Sequence, residues 1–237
     1  MADLLAIMAH PDDAELLCGG ALLHAADRGY STAVLDLTGG ESGTWGSASS
    51  RAEEAAAAAR ILGLSARDNA GLPDGALVNT PEARAIAAGF VRRHRPRTVI
   101  LHWPEARHPD HQAASQLGRD ACFLAGLRNA PIEGSPHRPA KVLYALTYQE
   151  APVKPTFVLD ISDQLERKLE AVFAFGSQFG GRAAMGDVFG GARDFREQIR
   201  IHAAHYGSLI RRPYGEPYWT RETMTVDDLV AVGVNSF

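Results

Sequence analysis

Leu4 to Ala9 (LLAIMA) is a nearly continuous apolar run, and it constrains the fold more than any other segment. A strand without polar alternation must be covered on both faces, as in a parallel sheet packed between helices. Ala14 to Arg28 then places Leu16, Leu17, Leu22, Leu23 and Ala26 at helical spacing and stops at Gly29. Thr32 to Thr38 (TAVLDLT) reads as a second strand. Strand, helix and strand in this order form a βαβ unit with a right-handed crossover.

The alternation continues along the chain. A Gly- and Ser-rich loop, Gly39 to Ser50, precedes an Ala-dense helix from Arg51 to Leu62 that ends at Gly63. Asp68 to Leu72 leads into the turn Pro73-Asp74-Gly75, and Pro81 to His94 is a helix with proline in its first turn. Thr98 to His102 (TVILH) is another buried strand, followed by a helix over His111 to Leu127. Val142 to Tyr148 and Thr156 to Ile161 read as late strands, Asp163 to Phe175 and Asp194 to Tyr206 as late helices. The order predicts an α/β fold: a Rossmann-like, mostly parallel, doubly wound sheet with helices on both faces. The 237 residues, 46% of them apolar, suit one domain over 1–237, its C-terminal third (about 140–237) elaborating the pocket and subunit contacts.

A formal charge of −4 argues against nucleic acid as an obligatory partner, since phosphate neutralisation favours a basic surface. Cys18 and Cys122 form no CxxC pattern and read as buried, reduced thiols. Neither a signal-peptide pattern nor a membrane-length apolar run is visible, so the expectation is a cytoplasmic protein without a membrane partner.

Two segments carry the chemistry. His10-Pro11-Asp12-Asp13-Ala14-Glu15 follows the first strand directly, and His108-Pro109-Asp110-His111 lies just beyond TVILH. In an open α/β sheet of strand order 3-2-1-4, the first and fourth strands are neighbours, and function sits at their carboxyl ends. The topology therefore joins motifs nearly a hundred residues apart. His10, Asp13 and His111 then make a three-ligand zinc set that leaves a position open for water. Asp12 is placed as general base, and His108 to polarise the carbonyl or protonate the leaving amine. Asp110 would fix the tautomer of a histidine.

Simpler readings exist for each motif. Asp12-x-x-Glu15 has the form of a capping box, and Pro109-Asp110 suits the entry to a helix. Capping alone does not account for histidines in both motifs.

These residues resemble the PIG-L/LmbE-like deacetylase family, marked by H-P-D-D-x-E near the N-terminus and a later H-P-D-H. Thr38–Glu41 (TGGE), Arg51-x-Glu53-Glu54, Ile61-Leu62-Gly63 and Leu72-Pro73-Asp74-Gly75 extend the likeness. Leu159–Asp163 (LDISD) and Ser177-Gln178-Phe179 are similar to the bacillithiol-pathway branch, the N-acetylglucosaminyl-malate deacetylases. The resemblance spans roughly residues 4–215; Ile210 to Phe237 follows the branch only loosely, through Tyr214–Trp219. It implies a Rossmann-like fold, one zinc per chain, and hydrolysis of an N-acetylglucosamine amide with release of acetate. It carries the metal-ligand role to His10, Asp13 and His111, the base to Asp12, and action on the carbonyl or leaving group to His108. It also implies Arg51 as a substrate contact and a homo-oligomer, a hexamer in many members. Iron(II) suits the same donors as zinc.

Other residues are weaker candidates. Glu41, on the loop after the second strand, is in reach of a sugar or is a solvated loop acid. His102 reads as a core or supporting histidine, and His202 and His205 as surface or subunit-contact residues. Phe173, Phe175 and Phe179 read as core. Competing functions are a related deacetylase acting on a chitooligosaccharide or mycothiol-like conjugate, a nucleotide-binding oxidoreductase, and a non-catalytic metal module. The first turn lacks G-x-G-x-x-G and its acids would repel a pyrophosphate. A closed metal module has no use for Asp12 and His108.

Overall fold

A computed structural model describes residues 1–146, 148, 153–180 and 194–234. Five strands pair in parallel: β1 (Leu4–Met8), β2 (Thr32–Thr38), β3 (Ala66–Leu72), β4 (Thr98–His102) and β5 (Lys141–Ala145). β7 (Gly215–Trp219) runs antiparallel to both β5 and β6 (Phe157–Asp160), giving the order β3-β2-β1-β4-β5-β7-β6. The helices are α1 (Asp13–Asp27), α2 (Ala48–Leu62), α3 (Pro81–His94), α4 (Pro109–Ala125), α5 (Leu165–Phe173), α6 (Gly176–Phe179) and α7 (Phe195–Leu209). None of the described helices is long and apolar enough to cross a membrane.

The unbroken apolar character of β1 has the expected cause. Ala6 and Met8 pack with Leu22, Leu62, Leu169 and Phe195 on one face, from α1, α2, α5 and α7. Leu5 and Ile7 pack with Val91, Ala114 and Leu117 on the other, from α3 and α4. The sheet is thus doubly wound, and both cysteines are buried and unbridged.

Local reading errs mainly at boundaries. Helix α2 starts at Ala48 rather than Arg51, because Ser47 and Ser50 cap each other reciprocally. Asp68 to Leu72 is the end of an edge strand whose Arg67, Asp68 and Asn69 conceal it from a hydrophobicity pattern. The strand expected to reach Tyr148 ends at Ala145; part of that stretch falls outside the described residues. β7 is a strand that the sequence pattern does not reveal, since Glu216 and Pro217 interrupt its apolar character.

Helix α1 contains a break that the rest of the fold repairs. Cys18 has φ −140° and ψ 18°, outside helical values. The Glu216 carboxylate on β7 accepts the backbone N–H of Gly20 at 2.7 Å and of Ala21 at 2.8 Å. It also accepts Lys168 Nζ at 2.6 Å and the Tyr218 hydroxyl at 2.9 Å. Gly20 is required by this approach, because a Cβ there would lie 2.6 Å from Ile161 Cγ2 and 2.8 Å from Glu216 Oε1. Lys168 and Glu216 are both buried, so removing one partner strands the other charge away from water. Glu216→Ala should destabilise the fold by about 3–5 kcal/mol in chemical denaturation. A loss below ~1 kcal/mol, the level of an exposed ion pair, would show that Glu216 does not hold the break.

Candidate active site

Loop geometry at the end of β1 turns its three polar residues in different directions. Asp12 has φ +119°, a conformation rarely occupied by a residue with a Cβ. Such strain costs about 1–3 kcal/mol and persists only where surrounding contacts impose it. Arg51, buried in the first turn of α2, imposes it: one guanidinium nitrogen donates to Pro11 O at 2.5 Å and to Asp12 Oδ2 at 2.8 Å. A second donates to Gly40 O at 3.2 Å. Asp12 makes no side-chain cap to α1, and Glu15 instead pairs with Arg67 at 2.6 Å. The capping-box reading of this motif therefore fails.

Asp13 is the hub. Its Oδ2 accepts the His10 backbone N–H at 2.8 Å, and its Oδ1 lies 3.1 Å from His111 Nε2. His102 Nε2 is 3.3 Å from Oδ2, accepts the Ala9 N–H at 2.9 Å, and stacks on His111 with ring centroids 4.1 Å apart. His102 thus supports the cluster from behind, as expected for a buried supporting histidine.

The second motif arrives from β4 and α4. His108 is the residue preceding α4, and its Nδ1 accepts the Asp110 N–H at 3.2 Å. Here a histidine does cap a helix. His108 stacks on His111 at 4.7 Å and meets His10 edge-on at 5.0 Å. Asp110 accepts from Gly75 N at 2.8 Å and Leu77 N at 3.2 Å, and lies 3.2 Å from His10 Nε2. It therefore latches the turn after β3 to the site while touching a histidine. Gly75 suits that turn because its φ is +72°.

Asp74 on the same turn lies 3.1 Å from His10 Nε2. The sequence reading takes Pro73-Asp74-Gly75 as a turn and Leu72–Gly75 as part of the family likeness, without assigning Asp74 to the site. Glu41 does not line the pocket; its carboxylate accepts Asp74 N at 3.0 Å and Gly39 N at 3.1 Å, bracing the same turn. Arg51 faces the pocket, with its guanidinium engaged by Asp12, Pro11 and Gly40.

Ligand atoms of His10, Asp13 and His111 all lie within 4.8 Å of one another, as do those of His10, His108 and Asp110. The donor set fits a divalent cation. Burial opposes protonation of His10, yet Asp13, Asp12 and Asp74 outweigh it and raise its pKa to about 10. Surroundings that favour a proton this strongly favour a metal ion for the same electrostatic reason.

The carboxylates are differentiated. Burial raises Asp12, Arg51 opposes it, and Asp13 adds repulsion, leaving Asp12 at about 7. Burial also raises Asp13, but His111 and His102 overcome it and hold that carboxyl well below the usual range. Burial and His111 lower His102 to about 4, and the same two influences, with His10, lower His108.

These groups open into a cavity of about 640 Å³. Ser42, Gly43, Thr44, Trp45 and Arg107 form part of its wall, together with Tyr148, Gln178 and Phe179 from the C-terminal third. Gln178 Nε2 donates to Trp45 O at 2.7 Å, tying the two walls together. His202 lies outside this wall, packed against Tyr148 and Tyr206, and burial lowers its pKa to about 3.

The model of the GlcNAc-PI de-N-acetylase family, PIG-L, matches residues 5–122. Diacetylchitobiose deacetylase of Thermococcus kodakarensis is 33% identical over 228 residues, covering 90% of this chain and 80% of its own. The crystal structure of a conserved protein from Thermus thermophilus is 40% identical with a TM-score of 0.85, over 95% of this chain and 98% of that one. A 4-carboxy-2-hydroxymuconate hydratase from Pseudomonas putida has a TM-score of 0.81 at 22% identity, over 97% of this chain and 100% of its own, a likeness of fold alone. With its two motifs inside the matched span and a relative alike along nine-tenths of its length, the chain belongs to the PIG-L de-N-acetylase family.

Proposed function

We propose that this chain is a zinc-dependent N-deacetylase that hydrolyses the acetamide of an N-acetylglucosamine conjugate, most specifically N-acetylglucosaminyl-malate. The observation that carries the reading is His10, Asp13 and His111 converging beside an Asp12 that a buried Arg51 holds in place. A zinc ion held by those three would polarise the acetyl carbonyl and acidify water. Asp12, with a pKa near 7, is suited to take a proton from the attacking water and return it to the departing nitrogen. His108 accepts at Nδ1, so in its neutral form the proton sits on Nε2, from which it would donate to the carbonyl oxygen. This favours polarisation of the carbonyl by His108 over protonation of the amine.

The substrate class draws on the family description and on the T. kodakarensis relative, both named for N-acetylglucosamine compounds. Malate as the aglycone is supported by Arg107, a cation on the pocket wall separate from the Arg51–Asp12 pair, whose planar fork matches a carboxylate. The resemblance at Leu159–Asp163 and Ser177–Phe179 points the same way, and Gln178 and Phe179 line the cavity. A neutral chitooligosaccharide is the second reading, favoured by the relative's activity.

Metal content separates the two candidate ligand sets. His111→Ala and Asp13→Ala should lose the ion in elemental analysis, while His108→Ala should keep about one per chain. Retention in His111→Ala with loss in His108→Ala would move the ion to the His10, His108 and Asp110 set.

Asp12→Ala should lower kcat by ~10²–10⁴-fold while leaving metal content unchanged. Because the base works deprotonated, kcat/KM should rise with pH through a limb at or below about 7. Arg51→Gln removes a cation that favours the carboxylate, so that limb should move to higher pH. An unshifted limb with raised KM would make Arg51 a substrate contact instead.

Acetate release from N-acetylglucosaminyl-malate should exceed that from diacetylchitobiose and from free N-acetylglucosamine. Arg107→Ala should raise KM for the malate conjugate and not for diacetylchitobiose. Equal rates on all three would remove malate from the proposal and leave the hydrolase.

A further inference from the structure

We propose that Glu54 is a positioning residue that holds the outer wall of the substrate cavity, and through it the part of the substrate beyond the acetamide. The substrate in that role is the conjugate of the deacetylase reading, on which this assignment rests, whereas the contacts stand without it. Arg51 and Glu54 are three apart on α2 and so share a face of that helix. Arg51 turns to Asp12. The Glu54 carboxylate instead accepts the Ser177 N–H and the Ser177 hydroxyl, both at 2.7 Å, across 123 residues of sequence.

Helix α6 needs that contact. It is a single turn of four residues, and a helix this short has no stability of its own. The residue at an N-cap ordinarily accepts one of the first free N–H groups with a side-chain oxygen. Phe175 occupies that place, has no such oxygen, and makes no side-chain cap. Glu54 supplies the missing acceptor from another helix, and its charge strengthens each bond. Phe175 and Phe179 are both buried, so they fix the ends of the turn in the core while Glu54 fixes the polar residues between them.

Those polar residues meet the cavity. Gln178 Nε2 donates to Ser177 Oγ at 3.0 Å as well as to Trp45 O at 2.7 Å. A chain of contacts thus runs from Glu54 through Ser177 and Gln178 to Trp45, and Trp45, Gln178 and Phe179 all line the cavity. The loop that carries Trp45 is exposed from Glu41 to Ser49, and a loop with so little buried surface holds one position only where such ties impose it. None of the four members of the chain is a metal ligand, Asp12 or His108. Its loss should therefore weaken substrate binding and spare the chemical step.

Steady-state kinetics and acrylamide quenching of the full, metal-loaded chain test this. Glu54→Ala should raise KM for the preferred conjugate, N-acetylglucosaminyl-malate or diacetylchitobiose, by ~10-fold or more, the loss expected of charge-assisted hydrogen bonds. kcat on that conjugate and kcat/KM for free N-acetylglucosamine should stay near the native values. Gln178→Ala should act in the same way, and the double variant should be no worse than the worse single one, because both act through one wall. Glu54→Gln keeps an oxygen for the Ser177 N–H and should fall between native and Glu54→Ala. Among the three tryptophans, Trp45 is 46% exposed and Trp103 4%, so quenching chiefly follows Trp45. The quenching constant should rise in Glu54→Ala, and the rise should vanish when Trp45→Phe is added. Equal losses on the conjugate and the free sugar, a fall in kcat alone, additive single effects or unchanged quenching would each overturn the role of Glu54. A native chain that releases no acetate from any of these amides, with quenching as expected, would remove the substrate and leave the clasp.

Discussion

Negative charge crowded at one sheet edge is the constraint on which the rest depends. Asp12, Asp13, Asp74 and Asp110 are gathered around His10 and its neighbours at the ends of β1 and β4. Two carboxylates about 4 Å apart repel by ~4 kcal/mol at the effective dielectric of a protein surface. Besides the shared His10, each acid has partners of its own: Asp13 the imidazoles of His111 and His102, Asp110 the N–H groups of Gly75 and Leu77, Asp12 the Arg51 guanidinium, Asp74 the Ser42 N–H. The separation of partners separates the chemistry. Asp13 is held well below the usual carboxylate range, as the proposed metal ligand would need, while its neighbour Asp12 is raised to about 7, as the proposed base would need.

The same logic extends behind the site. Arg67 on β3 lies between Asp36 on β2 and Glu15 on α1, at 2.7 Å and 2.6 Å, so the layer beneath the pocket is also a compensated charge cluster. Further along α1, Glu216 closes the break at Cys18. Asp13 and Glu15 start the same helix that Glu216 braces on the far side of its break at Cys18. Buried ion pairs add little net stability over apolar packing. Their role here is to fix positions within the cluster.

Much of this is legible locally, and what is not depends on distance. LLAIMA and TVILH declare buried strands because apolar continuity needs no partner to be recognised, and strand order then joins the two motifs. Asp74 escapes because a turn sequence explains itself; the contacts that bring that turn to His10, from Asp110 at the start of α4 and from Glu41, are long-range. Arg51 stands out as important, but its bond to Asp12 spans 39 residues and carries no sequence pattern. β7 is hidden because its glutamate faces a buried lysine rather than solvent, which inverts the usual polar alternation.

Fold alone does not select the reaction, since a hydratase superposes along nearly the whole chain. Hydration and amide hydrolysis both begin with removal of a proton from water, so a positioned base is common to both. They part at the second proton. Cleavage of an amide requires delivery of a proton to a nitrogen that would otherwise leave as a strongly basic anion. A carboxyl near pKa 7 is matched to that sequence, able to take the proton from water and to surrender it within the same turnover. Burial raises Asp12 into that range and Arg51 keeps it from rising further, so in the proposed reaction it is the Arg51–Asp12 pair, rather than the sheet, that would select amide hydrolysis.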